Sequence, residues 1–169
     1  MSNYFLPAVE AAVWNQLQQE NNINGIYDQI VEPLHEEMYR RQNFELMDEL
    51  TDEQQLMLTY DYVKMQVMQG GFIQLIQNGY VGLLPDMPGW LYALNINDMA
   101  EVIDDALKVF VLNRELLTKT TTVEEFALLY AELKEFEAID DRFMELNEST
   151  ILAMVNNALA HPGNFVTLI

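Results

Sequence analysis

Apolar residues recur at helical spacing along nearly the whole chain, and this constrains its fold more than any other feature. Ile26, Ile30, Leu34 and Met38 fall on one stripe, as do Leu56, Tyr60, Val63 and Val67. Met99, Ile103, Ala106, Leu107 and Phe110 form another, and Phe126, Leu129, Tyr130 and Leu133 a fourth that Ile139, Phe143 and Leu146 continue. A period of three to four residues places each set on one face of an α-helix. Seven glycines and five prolines among 169 residues are too few to punctuate the many turns of an all-β domain. Half of the residues are hydrophobic, which is enough to build a core and excludes intrinsic disorder. The predicted fold class is all-α: one compact multi-helix domain, 1–169, of about seven to nine helices.

Local signals set the expected boundaries. Pro7 can open a helix from Ala8 to Glu20, and Asn21, Asn22, Asn24 and Gly25 mark a turn. Pro33 is expected to kink or split the second helix. Phe44 to Leu50 has no clear type. Thr51 followed by Asp52, Glu53 and Gln54 reads as a capped helix start with acids in the first turn. That helix runs to Gly70-Gly71, and another spans Phe72 to Asn78 before Gly79. Tyr80 to Gly89, with two prolines and two glycines, is the main irregular stretch. Asn97 is expected to cap a helix from Asp98 to about Leu117, and Thr122 the next, with a break near Phe136. A last helix, Thr150 to Ala160, ends before Pro162-Gly163.

The surface is far from neutral: 27 acids stand against 8 bases, a formal net charge of -19. Such a field repels nucleic acid and anionic lipid and attracts basic proteins. Met1 to Tyr39 contain six carboxylates and no Lys or Arg. Glu32/Glu36, Glu49/Glu53, Glu101/Asp105, Glu137/Asp141 and Asp141/Glu145 are like charges four apart, each opposing helix formation by a few tenths of a kcal/mol. Asp104/Lys108 is the clearest opposite pair. Acids repeated every turn stand about 5–6 Å apart along a helix axis, the order of the phosphate spacing on a nucleic-acid strand.

Other chemistry finds little support. With no cysteine there are no disulfides, thiolate metal sites or cysteine nucleophiles. Glu32 and His35 have the spacing of a di-iron helical motif, but such a site needs two motifs, and the only other histidine is His161, at a helix end. No calcium loop or phosphate-binding glycine loop is present, and Ser2 and Ser149 have no histidine near them in sequence. No metal, cofactor or catalytic residue is predicted. The N-terminal residues lack the basic region of a secretory signal, and no apolar run approaches the ~18 residues of a membrane span, so a cytoplasmic protein with no membrane partner is expected.

The run Met68 to Asn78, MQGGFIQLIQN, follows a helix opening LTDEQQ and resembles the signature of a bacterial family of small acidic helical DNA-mimic proteins. Ile26 to Leu34 and Met99 to Phe110 are similar to it as well, so the resemblance covers about 25–111. Gln69 replaces the family's usual Asn, Leu75-Ile76 an aromatic pair, and Leu94-Asn95-Ile96 a common Ile-Gly-Ala turn. The resemblance implies a homodimer that occupies the DNA-binding surface of a transcription factor or nucleoid protein and does not itself bind nucleic acid.

The expected function is that of an acidic binding protein whose carboxylates replace phosphates, and not an enzyme. Glu32, Glu36, Glu37, Glu45, Asp48, Glu49, Asp52 and Glu53 are the candidate contacts, because Arg40 and Arg41 are the only bases in their stretch. An immunity-type or scaffold protein is the alternative. It would meet a partner that does not bind DNA through buried aromatic anchors, with little salt dependence. A metal enzyme built on Glu32 and His35 would purify with stoichiometric metal.

Overall fold

The computed structural model describes residues 4–119 and 122–169. Its described residues form eight α-helices, three short 3-10 segments and one pair of two-residue strands, so the chain is all-α. The helices are α1 (Ala11–Gln19), α2 (Ile23–Arg41), α3 (Asp52–Gln77), α4 (Met87–Ala93), α5 (Asn97–Leu112), α6 (Arg114–Leu117), α7 (Val123–Glu132) and α8 (Glu135–Ala160). Packing divides the chain into two units, Met1–Thr59 with Ser149–Ile169, and Tyr60–Glu148.

In the first unit, the apolar stripe of α2 is buried throughout at Ile26, Ile30, Leu34 and Met38. Asn22 caps this helix by accepting from the Gly25 N–H at 2.9 Å, so Asn24 and Gly25, read as turn residues, lie in its first turn. The helix passes Pro33 without splitting. The ring removes one ladder hydrogen bond, a local cost of about 3 kcal/mol. Complete burial of Ile30 and Leu34 on either side, at about 2 kcal/mol each, offsets it.

The helix expected from Ala8 begins instead at Ala11, because Ala8–Val9 (β1) pair in parallel with Thr167–Leu168 (β2). Pro7 has no N–H to give, but its carbonyl accepts from Thr167 at 2.8 Å, and Ile169 donates to Val9 at 3.0 Å. Gln54, fully buried in the first turn of α3, joins the same region. Its amide donates to the carbonyls of Phe5 at 3.0 Å and Phe165 at 2.9 Å. Its oxygen accepts from Thr51 N–H while Thr51 Oγ1 accepts from Gln54 N–H, which completes the predicted capping box.

In the second unit, α4 packs on α5, which buries Met99, Ala100, Val102, Ile103, Ala106 and Phe110. Two expectations fail here. Asn97 is the first helical residue of α5 and makes no side-chain cap, Ile96 holding the cap position. The helix also stops at Leu112, where Asn113 turns its amide onto the Val109 carbonyl at 2.9 Å before α6 begins. The supposedly irregular Tyr80 to Gly89 folds into a 3-10 turn, Val81–Leu83, and the start of α4, where Pro88 suits the first turn. Thr122 caps α7, as expected, and the Glu125 side chain completes the box by accepting from the Thr122 N–H.

The break near Phe136 falls at Leu133–Lys134. No second break precedes Thr150: α8 runs on to Ala160. Thr150 is buried, and with Ile151, Met154, Val155 and Ala158 it continues the apolar face, so the separate helix expected from Thr150 is the end of α8.

Candidate functional site

The eight candidate carboxylates lie on the C-terminal half of α2, on the 3-10 segment Glu45–Glu49 and on the first turn of α3, all within the first unit. Glu32, Glu36, Glu45, Asp48 and Asp52 are exposed, and Glu37, Glu49 and Glu53 are half-buried. The structure divides them into two kinds. Glu37 takes Arg40 in two hydrogen bonds (2.7 and 2.5 Å) and Arg41 in a third (2.8 Å). The same Arg41 then grips Glu49 with both terminal nitrogens at 2.6 and 3.0 Å, and its guanidinium lies 6.0 Å from the Phe5 ring.

These hydrogen bonds from Arg40 and Arg41 hold the Glu37 carboxyl down at about 2, and Arg41 likewise lowers Glu49. Glu37 and Glu49 are therefore brought together as a clamp between α2 and the following 3-10 segment. They are neutralised where they stand.

Among the described residues, Glu32, Glu36, Glu45, Asp48, Asp52 and Glu53 make no ion pair. Glu53 accepts only an amide, from Asn164 at 3.2 Å, and Glu45 meets its neighbour Asn43 at 3.1 Å. Glu32 and Glu36 are one turn apart on α2. Glu45 and Asp48, three apart on a 3-10 turn, eclipse one another.

The other expected pairings shift by a residue. Lys108 reaches Asp105 at 3.2 Å, not Asp104, and Arg142 crosses from α8 to Asp105 (3.1 Å) and Glu101 (3.8 Å). The like-charged Glu101/Asp105 pair is thus bracketed by one arginine.

A second cluster surrounds Gly70-Gly71-Phe72, where α3 changes direction. Gly70 has φ -154° and ψ 17°, and Gly71 has φ 73° and ψ -176°, a combination open only to glycine. A Cβ on Gly71 would stand 2.2 Å from Asp140 Oδ2 and 2.5 Å from Tyr130 Oη. The turn aims the Phe72 N–H at Asp140 Oδ1, 2.8 Å away on α8. Phe72 itself is fully buried and meets Phe143 edge-on at 5.7 Å; Phe143 in turn stacks on Tyr60 at 5.7 Å, whose hydroxyl donates to Asn147 at 2.7 Å.

Asp140 is only 7% exposed. Burial pushes its carboxyl up to about 6, against the opposing Phe72 hydrogen bond and with some help from Asp141. Burial, with the Asp140 charge beside it, also lifts the Tyr130 hydroxyl to about 12. Asp140 was absent from the sequence-derived candidates. A signal for it exists: it sits four residues after Phe136 and three before Phe143, a lone acid on a buried stripe.

Among the described residues no group of three or more His, Cys, Asp or Glu is placed to hold a metal ion. No described helix is long and apolar enough to cross a membrane.

A family model described as DMP19-like protein matches residues 48–161, about two thirds of the chain. The chain belongs to the DMP19-like family. DMP19 stands for DNA mimic protein 19. A comparison with curated proteins finds no match. The DMP19-like match begins later and ends later than the resemblance read from 25–111. It takes in all of the second unit and the Gly-Gly-Phe turn, while Glu32, Glu36, Glu37 and Glu45 precede it.

Two of the departures noted in the sequence suit their places. Asn95 occupies the left-handed region at φ 59°, which asparagine tolerates better than most residues with a Cβ. Leu75 and Ile76 fill buried positions with aliphatic instead of aromatic side chains.

Proposed function

We propose that this chain is a DNA-mimic binding protein: its carboxylates stand in for phosphates and occupy the DNA-binding surface of a basic transcription factor or nucleoid protein. Membership of the DMP19-like family carries this reading. The acidic stretch of the first unit supports it, because six of its eight candidate carboxylates have no ion-pair partner among the described residues. A basic protein meeting such a surface releases bound counterions as it would from DNA, so binding weakens steeply with salt. Within this reading Glu32, Glu36, Glu45, Asp48, Asp52 and Glu53 meet the partner, and Glu37 and Glu49 hold the backbone that presents them. The protein acts by occupancy, as a homodimer, and needs no cofactor.

The test is affinity capture of nucleoid proteins and repressors from bacterial lysate at low salt, followed by a salt gradient and competition with duplex DNA. Basic DNA-binding proteins that elute with salt and are displaced by DNA are the expected result. Captured proteins that ignore both salt and DNA would refute mimicry. They would instead support an immunity-type or scaffold role, for which Tyr39 (80% exposed) and Phe44 (72% exposed) are the most exposed aromatic side chains among the described residues.

A further inference from the structure

Gly70 and Gly71 line a cleft of about 530 Å³ within the second unit. Asp140 and Tyr130 line it, and their oxygens converge over the Gly71 Cα. Phe72 N–H occupies Asp140 Oδ1, and among the described residues Oδ2 accepts no hydrogen bond. Glu137 and Asp141 add negative charge at the rim. Lys134 also lies there but forms no ion pair among the described residues, so the buried carboxylate has no internal counterion. Met68 and Met144 also line it, thioethers left 45% and 44% exposed. Polarisable apolar walls above an unneutralised carboxylate and a phenolic oxygen suit a long alkyl stem ending in a cation.

We propose that this cleft receives an arginine side chain of the basic partner, its stem between Met68 and Met144 and its guanidinium on Asp140 Oδ2 and Tyr130 Oη. The inference rests on the DNA-mimic reading for the source of the arginine. It adds to it a specific socket, distinct from the diffuse acidic surface of the first unit. A guanidinium in such a site gains both hydrogen-bond geometry and partial desolvation, which an exposed ion pair lacks.

The socket is tested with N-acetyl-arginine amide as probe and the neutral isostere N-acetyl-citrulline amide as control. Amide nitrogen–proton spectra of the whole protein provide the readout. Phe72 N–H, bonded to the same carboxyl, reports occupancy. A saturable shift at Phe72 and Gly71 with the arginine probe, absent with citrulline and lost in Asp140→Asn, is the expected result. Asn retains an oxygen for the Phe72 N–H, and Tyr130→Phe provides a second variant, expected to weaken binding severalfold without touching that bond.

A Phe72 shift that fails to saturate, or persists in both variants, overturns the socket. Partner binding that is salt-sensitive and DNA-competed but unchanged by Asp140→Asn would also overturn it while leaving mimicry standing. A saturable Phe72 shift in a protein that captures no basic partner would sustain the cation site and remove mimicry.

Discussion

Replacing Asp140 by Asn should change how stability depends on pH, by an amount the structure allows to be worked out. Burial raises the Asp140 carboxyl from an ordinary 3.8 to about 6 in the folded protein. A raised acid binds its proton more tightly when folded. Its ionisation therefore costs stability at high pH, and the cost is relieved as pH falls through the folded value. Above pH 7 both states are ionised, and the full penalty, about two pKa units or roughly 3 kcal/mol, is present. At pH 5 the folded carboxyl is mostly protonated and the unfolded one is not, and about 1.4 kcal/mol has been recovered.

The groups around Asp140 do not blur this. Tyr130 stays neutral throughout, the Phe72 amide does not titrate, and the rim charges Lys134, Glu137 and Asp141 are present in both proteins. Urea unfolding followed by circular dichroism at pH 5, 6.5 and 8 stays above the isoelectric point of about 4.1. The natural protein should gain about 1.4 kcal/mol relative to Asp140→Asn between pH 8 and pH 5. Parallel stability profiles for the two proteins would refute the claim that Asp140 is buried as an acid with a raised pKa.

Gly71→Ala should cost about 3 kcal/mol in thermal or urea unfolding, combining an inaccessible backbone conformation with a Cβ that collides with Asp140 and Tyr130. Thr51→Ala removes half of the capping box at the start of α3 and a hydroxyl bond to the Asn164 carbonyl; a loss of about 1–2 kcal/mol is expected in the same assay. Asn95→Ala, which puts an ordinary side chain at φ 59°, should lose about 1 kcal/mol, and Asn95→Gly should not. Converting Glu32, Glu36, Glu45, Asp48, Asp52 and Glu53 to amides should weaken partner binding and flatten its dependence on salt, measured by titration at several ionic strengths. The Glu37→Gln and Glu49→Gln pair should instead lower thermal stability and leave the salt slope nearly unchanged.

What could be read from the sequence was mostly what is decided within a few residues. The stripe from Ile26 to Met38, the helix caps at Thr51 and Thr122, and the helix break at Gly70-Gly71 all depend on local spacing and backbone preference. The errors arose where distant packing overrode a local signal. Pro33 disrupts an isolated helix but is carried between buried Ile30 and Leu34, and the helix start expected at Thr150 vanishes because Thr150 is buried within α8. Ala8–Val9 looked helical because its strand partner lies some 160 residues away. The acidic stretch shows the same limit: its charge was visible as a count, while the division into paired and unpaired carboxylates depends on Arg41 reaching eight residues along the chain to Glu49. Asp140 stayed hidden among many acids because its place on the stripe of Phe136 and Phe143 gains meaning only once that stripe is known to be buried.

The pairing of β1 with β2, together with Gln54 bonded to both Phe5 and Phe165, has a consequence for synthesis on the ribosome. Residues 4–59 emerge before 60–148 but cannot complete their packing until 149–169 follow, whereas everything in 60–148 is available before that segment appears. The order of maturation therefore runs against the order of translation, with the middle of the chain able to consolidate ahead of its beginning. On a stalled nascent chain lacking 149–169, protease should remove the acidic N-terminal stretch and spare the Gly-Gly-Phe region. The charged surface would then be presented to a partner only once 149–169 has joined it.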